Sequence, residues 1–256
     1  MTGSLEQARI LISNDDGIDA EGIRILEQAA RRLSGDVWVV APAGEQSGKA
    51  HSFTAKGTLN ALRRDERHFT VDGTPTDCLL FACNVLFKDR RPDFVFSGVN
   101  HGANLGFDVV YSGTAGAAIE GALQGIKSFA FSLSGAKHGS EFWPDVLKMI
   151  PEIVQKAAFI PWKPRLFLNV NFPECAAEDI AGVKITSLSS RKIGDAVEIA
   201  EQKENGWRFN IGYARNGRIE PQSDTQAVSD GFVSVTPVCL DMTDKTQLPY
   251  FKAIYS

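Results

Sequence analysis

The sequence predicts an α/β fold: a mostly parallel sheet covered by helices on both faces, followed by a hairpin-rich C-terminal extension. Two observations carry that expectation. Short apolar runs alternate with amphipathic segments through the first two thirds of the chain, the pattern of buried strands joined by crossover helices. From about Cys175 the composition turns polar and alternating, as in WRFNIG, with turn signals at Glu204-Asn205-Gly206 and Asn216-Gly217, which read as hairpins.

The elements follow in order. RILIS (Arg9 to Ser13) is the first strand, and Ile23, Leu26, Ala30 and Leu33 then recur at helical spacing until Ser34-Gly35 ends the helix. DVWVVAP (Asp36 to Pro42) is a second strand, closed by its proline. Residues 53 to 74 hold short alternating stretches, read as a hairpin or an excursion from the sheet. Thr76 to Phe87 reads as a helix and DFVFSG (Asp93 to Gly98) as a buried strand. Glycine and asparagine then dominate up to Gly113. Thr114 to Gly125 is helical and rich in small residues, SFAFSLS (Ser128 to Ser134) is a strand, residues 141 to 157 form an amphipathic helix, and RLFLNVNFP (Arg165 to Pro173) is a strand. This divides the chain into an α/β core over about 1–174 and an extension over about 175–256.

Composition removes several function classes. At 256 residues the chain can bury a substantial core, and its 43% apolar and 23% charged residues with a net charge of -4 are those of an ordinary globular protein. No lysine- or arginine-rich run marks it for duplex nucleic acid or an anionic membrane. No apolar run approaches the roughly 20 residues that cross a bilayer, and MTGSLEQAR lacks a signal-peptide core, so the expectation is a cytoplasmic protein. Cys78, Cys83, Cys175 and Cys239 lack CxxC spacing and are expected to be buried free thiols.

Three loops follow strands: SNDDG after Ile12, APAGEQSGKAHS after Val40 and SGVNHGANLG after Phe96. In an open parallel sheet such loops converge at the C-terminal ends of the strands, where ligands bind. They would bring together the carboxylates of Asp15 and Asp16, the Ser47 hydroxyl and the amides of Asn14, Asn100 and Asn104. An all-oxygen set of this kind suits a hard divalent cation rather than zinc. Adjacent carboxylates repel unless a cation or a shared proton relieves them. The competing reading is local: Asp15 caps the next helix and Asp16 sits in a DG turn.

The stretch YSGTAGAAIEGALQG (Tyr111 to Gly125) adds a second signal. Ser112, Gly113 and Thr114 stand at a helix start, where backbone N–H groups and hydroxyls cradle anions such as phosphate. Here too a plain reading competes, with Ser112 or Thr114 as a helix cap. A cation site and an anion cradle in one cleft point to metal-assisted phosphoryl transfer to water.

Other phosphoryl-transfer and hydrolase patterns are missing. Asp15 and Asp16 are contiguous, whereas haloacid-dehalogenase-like phosphatases separate their two aspartates by one residue. Ala50 stands where a P-loop needs its hydroxyl, and no GxSxG elbow is present. His51 and His101 are candidate general acids by their place in the loops. GTPTDC (Gly73 to Cys78) reads as a turn and a capped helix start.

Six ordered segments, NDDG, the AP to HSFT stretch (Ala41 to Thr54), GTPTDC, SGVNHGANLGFDVVYSGTAGAAIEG (Ser97 to Gly121), LNVNFP (Leu168 to Pro173) and a stretch from near Thr225 to Pro237 that ends in GFVSVTP, resemble the SurE, or survival protein E, nucleotidases. The resemblance covers nearly the whole chain. It implies a Rossmann-like three-layer α/β/α sandwich, and a metal-dependent phosphatase hydrolysing nucleoside 5'- and 3'-monophosphates, with exopolyphosphatase activity in addition. It implies one divalent metal per subunit, Mg²⁺ or Mn²⁺, held by Asp15, Asp16, Ser47 and Asn100, and phosphate contacts from Asn104, Ser112, Gly113 and Thr114. It also implies a homodimer or tetramer built through the extension. Asp15, Asp16 and Asn100 are the expected catalytic residues. The rival expectation is a nucleotide- or phosphate-binding regulatory module without turnover. Ala20-Glu21 and Ala115 depart from the family's usual residues, and residues 190 to 220 match it least.

Overall fold

A computed structural model describes residues 4–136, 139–192, 196–212 and 219–255. The core elements run β1 (Arg9–Ser13), α1 (Glu21–Arg31), β2 (Asp36–Pro42), β3 (Ala61–Arg63), β4 (His68–Val71), α2 (Pro75–Phe81), β5 (Phe94–His101), α3 (Gly113–Leu123), β6 (Lys127–Leu133), α4 (Trp143–Ala158) and β7 (Leu166–Phe172). The later elements are β8 (Val183–Ile185), β9 (Ala196–Lys203), β10 (Gly206–Gly212), α5 (Asp224–Ser229), β11 (Val233–Cys239) and α6 (Leu248–Tyr255).

Among the described residues nine strands form one sheet in the order β3-β4-β2-β1-β5-β6-β7-β11-β8. β1 lies between β2 and β5, parallel to both, with Ile12 opposite Val39 and Ser13 opposite Ser97. Chain order thus reverses at β1, and the loops leaving β1 and β5 stand side by side at the ligand-binding edge. β3 and β4 form a hairpin whose second strand pairs with β2, so residues 53 to 74 widen the sheet rather than leave it.

Alternation along the strands builds the two outer layers. Ile10 and Ile12 of β1 pack with the α1 and α4 side chains, including Leu26, Ile150 and Trp143, while Leu11 between them packs with Leu79 and Ala117 of α2 and α3 on the other face. Each fully buried aliphatic side chain of this kind contributes about 1.5–3 kcal/mol. α1 buries Ile23, Leu26, Ala29 and Ala30 along one stripe, as its spacing predicts. α2 begins with the expected cap: Thr74 accepts from the Asp77 N–H while Asp77 accepts from the Thr74 N–H.

Two strands from beyond residue 175 join the main sheet. β11 pairs antiparallel with β7, and β8 pairs parallel with β11. β9 and β10 form a separate antiparallel hairpin around Glu204-Asn205-Gly206; the expected Asn216-Gly217 turn lies outside the described residues. All four cysteines are free, but only Cys78 and Cys83 are buried; Cys175 is half-buried and Cys239 exposed, because β11 ends at the sheet surface. Among the described residues no helix is long and apolar enough to cross a membrane.

Candidate active site

The three loops do meet: backbone hydrogen bonds tie the first to the second and the second to Tyr111, and the Asp16 side chain reaches the third at His101. The Gln46 N–H donates to the Asp15 carbonyl at 2.7 Å, the Ile18 N–H to Pro42 at 2.9 Å and the Ala50 N–H to Tyr111 at 3.1 Å. A cavity of about 480 Å³ opens between them, lined by Asp15, Ser47, Asn100, Asn104 and Ser112 among others. That volume lies within the range of roughly 300–1,000 Å³ usual for small-molecule sites.

Asn14 holds the first loop in shape. It is fully buried, and its Nδ2 donates to the Gly17 carbonyl at 2.8 Å. Asp15 follows, 4% exposed. It does not cap α1, whose N-cap is Ala20 with no side-chain hydrogen bond. Its carboxylate instead faces the start of α3, where Oδ1 accepts from the Thr114 hydroxyl. Gly113 allows this approach, since an added Cβ there would lie 2.7 Å from the Asp15 Cβ. The Asp15 carboxyl is raised to about 6, because burial, with help from neighbouring Asp16, outweighs the downward pull of the Thr114 hydrogen bond.

Asp16 is turned toward the third loop. Its Oδ2 accepts from His101 Nδ1 at 3.1 Å and from the His101 N–H at 3.4 Å. The Asp16 hydrogen bond, opposed by burial, raises the His101 pKa above its ordinary value. The imidazole stands edge-on to Trp143 at 5.2 Å, and its Nε2 is buried with no hydrogen-bond partner among the described residues. His101 thus orients Asp16 and also lines the cavity. His51, the other candidate acid, is absent from the cavity lining and pairs through Nε2 with Glu120 Oε2 at 2.9 Å.

Asn100 owes its place to an irregularity in β5. The register of β5 on β6 shifts between Ser97 and Asn100, and such bulges re-aim side chains next to functional sites. Asn100 Nδ2 donates to the Gly102 carbonyl at 2.8 Å, which leaves Oδ1 as its donor atom for a cation. Asn104 is fixed by side chains the sequence reading left as plain strand. Its N–H donates to Asn171 Oδ1 at 2.8 Å, its Nδ2 to Ser132 Oγ at 2.8 Å, and its carbonyl accepts from Asn169 and Asn171 at 2.8 and 3.1 Å. Asn169 and Asn171 are both fully buried and two apart on β7, so they share one sheet face. Two asparagines at period two in an apolar strand were the available signal.

At the start of α3, Ser112 is the N-cap, its Oγ accepting from the Ala115 N–H at 3.0 Å. The Ser112 hydroxyl proton stays available to an anion. Thr114 is fully buried and spends its hydroxyl on Asp15, so toward the cavity it offers at most its backbone. Lys192 and Ile211, from the stretch that least resembled the family, also line the cavity.

The donor set fits a hard divalent cation. Among the described residues no three of His, Cys, Asp and Glu gather as a metal cluster; Asp15, Ser47 and Asn100 line the cavity, with Asp16 beside them and not among its lining residues, and carboxylate, hydroxyl and amide oxygens are ligand types suited to Mg²⁺ or Mn²⁺.

Known proteins resemble this chain over most of its length. Residues 10–195 match the family model described as Survival protein SurE. A 5'-nucleotidase SurE of Paramagnetospirillum magneticum is 43% identical over 241 residues, 94% of this chain and 93% of that protein. One from Rhodospirillum rubrum is 42% identical over 98% of this chain and 96% of its own length. The crystal structure of SurE protein from Aquifex aeolicus superposes with a TM-score of 0.85 at 35% identity, covering 97% of this chain and all of that one. On sequence and on fold alike, the chain belongs to the SurE family.

Proposed function

We propose that this protein is a 5'-nucleotidase, a phosphoric monoester hydrolase that converts nucleoside monophosphates to nucleoside and phosphate. The observation that carries the reading is the meeting, across one cavity, of an oxygen-rich donor set with the N-terminus of α3. Relatives named 5'-nucleotidase SurE match nearly end to end. Asp15, Asp16, Ser47 and Asn100 would hold one Mg²⁺ or Mn²⁺ per subunit. When bound, such a cation supplies charge neutralisation at the phosphoryl group and activation of water.

The chain's own residues do the rest. Ser112 and Asn104, with the backbone N–H groups of Gly113 and Thr114 in the first turn of α3, take the phosphate oxygens, helped by the positive end of the helix. Thr114 and His101 orient the two carboxylates. Burial of Asp15 keeps the site in a low-dielectric setting, where these charge interactions are strongest. The cavity volume of about 480 Å³ is in the range of small-molecule sites, and the reading extends to 3'-monophosphates and polyphosphate as further substrates.

The hairpin β9–β10 and helix α6 expose Val197, Ile199, Trp207, Phe209, Tyr250, Phe251 and Ile254. Apolar surface of this kind supports assembly into a homodimer or tetramer through the extension. Four free thiols accord with a reducing compartment, the cytoplasm.

Phosphate release from AMP and GMP with added Mn²⁺, and its loss with EDTA, tests the reading. Nucleotide binding without release under any divalent metal would replace it with the regulatory-module alternative.

A further inference from the structure

One carboxylate joins the C-terminal third of the chain to the site. Asp224, the first residue of α5, is fully buried. Its Oδ2 accepts from the Gly106 N–H at 2.7 Å, and its Oδ1 from the N–H groups of Ser189 and Thr225 at 3.0 and 2.7 Å. Gly106 lies two residues after Asn104 on the segment that walls the cavity. Ser189 lies three residues before Lys192, which lines the same cavity.

The two backbones are in direct contact here. Gly106 has φ +58°, and a Cβ added to it would stand 2.6 Å from Ser189 Oγ and 2.7 Å from the Arg191 carbonyl. The next residue, Phe107, donates its N–H to that same carbonyl at 2.8 Å. The Asn104 loop is thus clamped from two sides, by the β7 asparagines at Asn104 and by Asp224 at Gly106. Only a carboxylate serves at position 224, because both of its oxygens face N–H donors; an amide would turn an NH₂ group toward one of them and lose that bond.

We infer that Asp224 is a positioning residue for the phosphate end of the site, acting through Gly106 on Asn104. The inference rests on the assignment of Asn104 to phosphate proposed above. It predicts a selective defect: phosphate recognition loosens while the cation ligands, which sit on other parts of the loops, are untouched.

The test uses the full chain and inorganic phosphate as probe. In D224N the inhibition constant for phosphate against AMP turnover should rise at least about 10-fold, the scale seen when an orienting partner is lost. KM should rise with it and kcat change less, with Mn²⁺ binding in the absence of phosphate unchanged. Gly106→Ala, which pushes the same contact apart from the other side, should show the same split. An unchanged phosphate constant in a folded variant overturns the inference. So do a loss of Mn²⁺ binding in parallel with phosphate, or failure of both variants to fold, since each makes the contact a requirement of the fold alone. Asn104→Ala separates the two levels: if it leaves the phosphate constant unchanged, the assignment of Asn104 fails, whereas a raised constant there with none in D224N sinks only the role of Asp224.

Discussion

The Thr114 hydroxyl donates a hydrogen bond to Asp15 Oδ1 across ninety-nine residues of sequence, linking the first loop to the first turn of α3. The bond makes the proposed cation site and the proposed phosphate cradle one rigid unit. Thr114→Val keeps the shape and removes the donor. Turnover of AMP should fall by about 10–100-fold, the usual cost of removing a partner that orients a ligand, with a loss of about 1–3 kcal/mol of stability from the buried acceptor left without its donor. Wild-type activity in T114V would show that Asp15 needs no such support.

Asp15 itself should be indispensable. Asp15→Asn removes one ligand charge while preserving size, so most turnover should disappear with the fold intact by circular dichroism. Isothermal titration with Mn²⁺ should show weakened binding. Full metal-dependent activity would remove Asp15 from the site.

Gly113→Ala is a steric test of the same junction. A methyl group there meets the Asp15 Cβ at 2.7 Å, and Asp15 is too buried to swing aside. Overpacking of this kind costs about 1–3 kcal/mol, and the displaced carboxylate should take activity down with it. Chemical denaturation and AMP hydrolysis, measured together, should both register the change.

His68 gives the fold a pH-dependent element away from the cavity. Burial alone would lower its pKa, but hydrogen bonds to Asp65 at 2.8 Å and Glu27 at 3.1 Å outweigh burial and hold it above 6.5. A raised histidine pKa contributes stability that is fully present below the unfolded value near 6.5 and is lost as pH rises through the folded value. The difference in unfolding free energy between wild type and His68→Gln should therefore be largest below about pH 6 and shrink at alkaline pH. Because these groups are partly exposed, it should not exceed about 1 kcal/mol. A difference that grows with pH would reverse the assignment.

Assembly is tested at α6. Phe251 and Ile254 are 59% and 71% exposed, and aspartate at both positions should reduce the mass measured by light scattering if this helix covers a second subunit. An unchanged mass would place the interface elsewhere.

The sequence by itself determined the strands of the central sheet, because residues buried on both faces must be apolar and runs such as ILI and FVF leave no alternative. It also determined the three loops that meet, since parallel topology sends them to one edge, and that Asp15, Ser47, Asn100 and Asn104 arrive at one cavity. Tertiary structure decided what those residues touch. Whether Asp15 caps α1 or faces α3 depends on packing between segments ninety-nine residues apart, which no local pattern encodes. The same holds for His101, whose hydrogen bond to Asp16 spans eighty-five residues of sequence. It holds for Asn169 and Asn171, polar side chains in an apolar strand whose partner is the backbone of a distant loop. It also holds for β8 and β11, whose alternation resembles an appendage until β7 offers an edge to pair with. Local composition specifies which groups must be buried; which buried polar groups find one another is settled only when the chain closes around them.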